Sequence, residues 1–210
     1  MITTWQIFKK TVLDMWDEML NMIFFNLIWV FGTVLILFWP FVTFALFYTV
    51  KDIGDGFGIK FSKFFSYGRQ SWKLAYVWGL INVVAYSLLL FNIRFYGGFG
   101  TQWALFLQIL FFSLVVFWII IQLMMLAMYP RLQEPGFKLA VRNSAVIVGR
   151  NPIHSFVLII EVALLLLLFR FIPAIMLIIG FSFIALLVNN TLDVILKKEL
   201  AVQDENQQNN

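Results

Sequence analysis

Apolar positions in this chain gather into runs too long for a soluble core, separated by shorter stretches in which basic residues interrupt an apolar stripe. In one such stretch Phe57, Phe61, Phe64, Phe65 and Trp72 stand at offsets 0, 4, 7, 8 and 15, with Lys60, Lys63, Arg69 and Lys73 between them. That spacing gives a helix with one apolar and one basic face, suited to lie along an anionic membrane surface. It leads directly into residues 74–93, which carry no formal charge. As a helix they extend about 30 Å, the hydrocarbon thickness of a bilayer.

The same reading extends to both sides. Residues 1–20 form an amphipathic helix, with Trp5, Phe8, Val12, Met15, Trp16 and Met19 on one side and Lys9, Lys10, Asp14, Asp17 and Glu18 on the other, placed at the interface. Acidic residues before the next apolar run, and Trp39-Pro40 after it, argue against a cleaved signal peptide. Residues 19–50 are uncharged and would measure about 48 Å as one helix, so Pro40 predicts a break, with one helix ending near Phe38 and a shorter one starting at Pro40. A full hairpin and a single span with a bent extension both satisfy this pattern. Residues 54–58 form a glycine-rich turn without the ligand spacing of a calcium loop. Residues 103–129 make a further span ended by Pro130, and residues 137–150, with Lys138, Arg142 and Arg150, repeat the basic amphipathic pattern. Residues 153–169 and 171–189 are two more spans, joined so closely at Arg170 and Pro173 that they run antiparallel.

The predicted fold is all-α: a polytopic transmembrane helical bundle of five long spans plus a short Pro-started helix. It reads as three units, each an amphipathic helix followed by a hairpin, starting near Trp5, Ile59 and Phe137. Residues 1–200 form a single integral membrane domain, and residues 201–210 form a disordered polar tail.

Composition agrees with lipid as the solvent, since 62% of the 210 residues are hydrophobic and only 12% charged. The chain has no cysteine and a single histidine, His154, which removes disulfides, thiolate chemistry and an imidazole metal cluster, and no cofactor is expected. The net charge of +4 does not indicate nucleic acid, because most of the basic residues lie in two loops beside apolar segments. Residues 51–73 and 131–152 carry five and four Lys or Arg and the tail two, against one each at Arg94 and Arg170 in the opposite connectors. The basic loops and the C-terminal tail are therefore cytoplasmic, and a hairpin at Pro40 puts Lys9 and Lys10 with them. Trp39, Tyr96 and Trp103 then mark the outer interface, and Tyr48, Trp72, Tyr76 and Tyr129 the inner one.

Several segments resemble the YesL-like family of bacterial integral membrane proteins. Asn26-Leu27-Ile28-Trp29, with Pro40 and then Thr43-Phe44-Ala45-Leu46-Phe47-Tyr48, is similar to that family's Asn-Leu-Leu-Trp segment and its Thr-Ala-Leu-Tyr-Tyr continuation. Residues 61–73 are similar to its Phe-x-x-Phe-Phe basic segment, and Arg142-Asn143 with residues 150–155 to the polar approach to its penultimate span. The chain departs from the family at Phe41 and Phe44, bulky where the family commonly has small residues, which argues against close helix packing at that turn. The resemblance covers most of residues 20–170. It implies a bacterial plasma-membrane protein in the context of carbohydrate uptake, with no agreed catalytic residues.

Glu161 is the one acidic residue inside a span, about 13 Å along its helix from Pro152. Asn82 and Gln122 lie at comparable depth, so a midplane cluster of Glu161, Asn82 and Gln122 is expected, either joining helices by hydrogen bonds with Glu161 protonated or holding a ligand, ion or proton. His154 shares a helical face with Glu161 and fits an interfacial hydrogen-bonding role. Lys60, Lys63, Arg69, Lys73, Lys138, Arg142 and Arg150 are the candidate contacts to anionic inner-leaflet lipids. Gly180-Phe181-Ser182 with His154 does not make a serine protease, because the groups lie at different depths and no oxyanion donors accompany them. The sequence thus predicts a non-enzymatic accessory or regulator of transport that packs against a permease, and as the alternative a small oligomeric transporter or channel with Glu161 beside its pathway.

Overall fold

The structure, a computed structural model, describes residues 4–58, 60–134 and 136–208, with side chains as far as residue 201. Among these residues every regular element is helical. They are α1 (Thr4–Asp17), α2 (Met19–Val34), α3 (Trp39–Gly54), α4 (Phe61–Gly97), α5 (Gln102–Met128) with a 3-10 turn at Tyr129–Arg131, α6 (Phe137–Arg150), α7 (Pro152–Phe171), α8 (Pro173–Ile175), a π-helical turn (Met176–Gly180) and α9 (Phe181–Gln208).

Four stretches, Phe61–Gly97, Gln102–Arg131, Pro152–Phe171 and Pro173–Ala201, are long and apolar enough to cross a bilayer. Sequence reading expects five. The difference lies at α2, whose 16 residues reach about 24 Å, short of a hydrocarbon core of about 30 Å. The break falls at residues 35–38, just ahead of Pro40, which takes a place in the first turn of α3 where its missing amide hydrogen costs nothing. The turn is wholly apolar, and Ile36 within it is 79% exposed at φ 49, an unusual conformation for a β-branched residue. Most of its amides are occupied locally, since Leu35 donates to the Phe31 carbonyl at 3.2 Å, Ile36 to Thr33 at 2.9 Å and Leu37 to Leu35, while Trp39, just past the turn, donates to Ile36 at 3.2 Å.

α3 returns along α4 in close contact. A Cβ at Gly79 would fall 2.5 Å from Pro40, and the Phe41 ring fills the space where a side chain at Gly68 would stand. The bulk of Phe41 therefore does not prevent close packing, because the small residues sit on the opposite helix. The α2–α3 turn reaches only the level of Gly79, and α4 continues for 18 residues, about 27 Å, to Gly97.

The expected surface helix at residues 57–73 is not a separate element. From Phe61 it is the first part of α4, and Phe64 is buried against Phe25, their rings stacked at 5.2 Å. Extending a helix already nucleated requires no second nucleation, so the basic segment and the span form one rod. The second of the three expected units therefore has no independent amphipathic helix, and its expected start at Ile59 lies outside the described residues. The first and third keep the pattern, as α1 before α2–α3 and α6 before α7–α9. α1 buries Ile7 and Thr11 rather than the tryptophan side, leaving Trp5 and Trp16 exposed. At the other end, α9 stays helical to Gln208, past residue 201 where composition predicts disorder; its Gln- and Glu-containing end has adequate helix propensity and again only extends an existing helix.

The core is organised around α9, which packs on α1, α2, α3, α5 and α7. Residues 182–192 are buried on every side, as expected of a helix apolar around most of its circumference. α9 is reached through the π-helical turn, and Asn26 of α2 completes that turn. Its side-chain amide donates to the carbonyls of Met176 at 3.1 Å and Leu177 at 2.8 Å, and its oxygen accepts from the amides of Phe181 at 2.9 Å and Ser182 at 3.0 Å. Four backbone groups freed by the irregular turn thus find partners in one buried side chain. Replacing Asn26→Leu should lower unfolding stability by roughly 3 kcal/mol, because buried backbone groups lose their partners; a denaturant titration of the purified protein in mixed micelles measures it, and an unchanged midpoint would refute the assignment.

Candidate functional site

α4 and α5 are antiparallel neighbours joined by residues 98–101, which sets Trp78 opposite Gln122 and Asn82 opposite Trp118. Within each helix the two residues are four apart and share a face. Trp78 Nε1 donates to Gln122 Oε1 at 2.7 Å, Asn82 Nδ2 to the same oxygen at 3.1 Å, and Trp118 Nε1 to Asn82 Oδ1 at 3.0 Å. Asn82 Nδ2 also reaches the Trp78 carbonyl at 2.9 Å. The structure therefore brings together two of the three expected midplane residues and adds two indoles. Gln122 Nε2 and, seven residues on at the start of the 3-10 turn, the hydroxyl of Tyr129 are buried without a hydrogen bond among the described residues.

Glu161 does not join them. It is half-buried on α7 and makes no hydrogen bond or ion pair among the described residues. Leu158 and Leu166 of α7, on either side of it in sequence, line the same groove as Val116 and Leu123 of α5, on either side of Gln122, but Glu161 does not face that groove. The residues of α7 that turn to α5, Leu158, Ile159, Val162 and Ala163, occupy a different side of the helix. His154, near Lys198 of α9, likewise makes no hydrogen bond among the described residues. Glu161 is thus not one of the groups that join this chain's helices.

The basic candidates divide. Lys60, Arg69 and Lys73 are exposed, with Lys73 over the Trp72 ring at 5.7 Å, and Lys138 and Arg142 are exposed without an ion pair. Lys63 instead binds Asp52 Oδ2 at 3.0 Å, and Arg150 binds Glu199 at 3.3 Å. Both engage the protein as well as facing outwards. Half-exposed pairs of this kind contribute about 1 kcal/mol or less.

A second polar system on the basic side of the bundle was not anticipated. Asn190 donates to Thr11 Oγ1 at 3.1 Å and Asp14 Oδ2 at 2.9 Å, while Lys10, ion-paired to Asp14, donates to the Gly54 carbonyl at 3.0 Å. Arg131 directs Nε at 3.1 Å and Nη2 at 2.6 Å onto Asp193 Oδ1, and Nη1 at 2.8 Å onto Asn189 Oδ1. Tyr67 and Lys63 share Asp52 Oδ2. One turn of α9 therefore fastens the ends of α1, α3 and α5. The available signal was Asn189-Asn190 at the end of an apolar run, four and three residues before Asp193. Among the described residues no group of three His, Asp or Glu side chains that could hold a metal comes together.

Compared with protein-family models, curated proteins and solved structures, the chain matches none of them.

Gln122→Leu should cost about 1–2 kcal/mol, since it strips an acceptor from Trp78 and Asn82, whereas Glu161→Gln should change stability by less than about 0.5 kcal/mol. Unfolding titrations of the two variants side by side test this. Equal losses would show Glu161 to be part of the internal scaffold.

Proposed function

We propose that this protein is a non-enzymatic accessory or regulatory subunit of membrane transport, working by packing against a permease through α7. Glu161 carries the reading. A carboxyl at mid-span costs about 2.5–3.5 kcal/mol on insertion scales, and the described residues of the chain give it neither a hydrogen bond nor a counter-charge. A partner helix that presents a donor at that depth removes the penalty. Asn82 and Gln122, by contrast, are occupied largely with each other and with two indoles, which favours assembly over conduction by this chain alone. The resemblance to the YesL-like family adds carbohydrate uptake and the bacterial plasma membrane as the context.

The topology that goes with this reading has four spans, with α2–α3 a hairpin that enters and leaves on the basic side. The short α2, the apolar turn at residues 35–38 and the level of Gly79 support it. The lysine and arginine distribution puts that side, with α1 and the far end of α9, in the cytoplasm.

Crosslinking in source membranes followed by purification should recover a permease in fixed stoichiometry, and Glu161→Leu should abolish the recovery. Substrate or ion flux in liposomes holding this chain alone would overturn the proposal in favour of a transporter. Because the chain has no cysteine, single introduced cysteines report topology cleanly. Cysteine at position 69 should react with an impermeant maleimide only in opened cells, and cysteine at position 36 should be shielded from both faces; labelling at 36 from outside would make α2 a full span.

A further inference from the structure

Burial in this bundle is concentrated in one half of its length. On α4 no residue from 83 to 97 is buried, on α5 none from 105 to 119, and on the stretch leading into α9 none from 171 to 179, whereas residues 120–122, 124–129 and 182–192 are all buried. On α4 and α5 the change falls at one level, because Asn82 Nδ2 donates to Gln122 Oε1 at 3.1 Å. The basic ends of α5 and α9 are level too, because Arg131 pairs with Asp193. Asn82 is nine residues from Lys73 and Gln122 nine from Arg131, about 13 Å in each case, close to half of a hydrocarbon core of about 30 Å. The packed half therefore fills the leaflet on the basic side, and the thin half the leaflet opposite.

The two ends differ in what stands there. α2 and α3 run beside α4 only as far as Gly79, against which Pro40 packs. α1 lies at the basic end, since Lys10 donates to the Gly54 carbonyl at 3.0 Å and Asn190 to Thr11 at 3.1 Å, while Trp5 and Trp16 face outwards, 71% and 68% exposed. α6 joins the basic ends of α5 and α7. Among the described residues the opposite end has two narrow hairpins, α4–α5 turned by residues 98–101 and α7–α8 turned at Ile172, the second closed by the Phe169 ring, 3.0 Å from where a Cβ at Gly180 would stand. With each helix about 10–12 Å across, α2 and α3 alone add about 200 Å² to the basic-side leaflet, and the tryptophan side of α1 adds more at its headgroup boundary. We infer that the molecule is a wedge that gathers where the membrane is convex on its basic side. A flat bilayer gives both leaflets equal area, so lipids around the thin end must deform to fill the difference; where the basic-side leaflet is the convex one it has the larger area, and the wedge fits without that deformation. The partner here is the bilayer itself, in one shape and one orientation, and none of the α7 surface proposed for a permease is used.

The inference takes the hairpin topology proposed above, and the two are tested apart. The full chain carrying Arg69→Cys, an exposed position on the basic side, is placed in giant vesicles of phosphatidylcholine and phosphatidylglycerol, and a narrow tether is drawn from each vesicle. In one preparation an impermeant fluorescent maleimide marks the copies whose basic side faces out. In a second the protein is labelled before reconstitution and an impermeant quencher silences those copies, leaving the inward-facing ones. Density in the tether relative to the vesicle should rise above unity for the outward-facing copies and fall below it for the inward-facing ones, and both departures should grow as the tether narrows. Equal density in tether and vesicle, or a departure of the same sign for both orientations, would overturn the wedge. A single cysteine at position 36 reports the topology in the same vesicles. Its labelling from the side opposite the basic loops would remove the hairpin, whereas its shielding together with even partition into the tether would remove the wedge alone.

Discussion

A helix in lipid can be irregular only where something other than water satisfies the backbone, and in this protein that something is Asn26. Its side chain holds both carbonyls and amides of the turn through which the chain enters α9. α9 in turn is the element against which α1, α2, α3, α5 and α7 pack. The contact also ties the 16-residue α2 to the most central helix. Trp29, three residues after Asn26, stacks on Phe181 at 3.7 Å and donates to Thr43, so one turn of α2 fixes the start of α9 and the position of α3 together.

Polar side chains elsewhere follow the same constraint and separate into two levels. At mid-span, Asn82 and Gln122 join α4 to α5, with Trp78 and Trp118 supplying extra donors. On the basic side, Asn189, Asn190 and Asp193 collect Arg131, Lys10, Thr11 and Asp14. Interhelical hydrogen bonds in membranes contribute modestly one by one, about 0.6 kcal/mol on average, so their larger effect is on register, because each is satisfied in one arrangement of the helices. Glu161 belongs to neither network and makes no hydrogen bond or ion pair among the described residues.

The bundle is also unequal along its length. From mid-span to the basic side the helices interlock, through glycines as Pro40 does on Gly79 and through the ion pairs. Beyond Asn82, α4 has little but α5 beside it, held by the Tyr96 and Phe111 rings at 5.7 Å and by Gln108 on the Ile93 carbonyl at 3.4 Å. Packing in lipid gains little from hydrophobicity, so helices stay together where small residues and hydrogen bonds permit and separate where mainly branched aliphatic side chains face one another. The groove between α5 and α7 is one result of that rule.

Hydropathy in the sequence determined the all-helical character, four of the membrane-length helices, the break before Pro40, the antiparallel return at Pro173 and the common level of Asn82 and Gln122, because length and charge along a helix depend only on the order of residues. It also separated the amphipathic α1 and α6 from the spans, but not the basic start of α4, where no break in the sequence marks an end. What only the tertiary structure decided was azimuth and partnership. Asn82 and Gln122 face each other and Glu161 faces away; Lys63 turns to Asp52, eleven residues earlier, while Lys138 stays free; Asn26 finds a turn 150 residues later. A run of apolar residues states how far a helix reaches, but in lipid every side of it is equally tolerated. Which side meets which neighbour is settled only by the shapes and hydrogen-bonding groups that the assembled helices bring together.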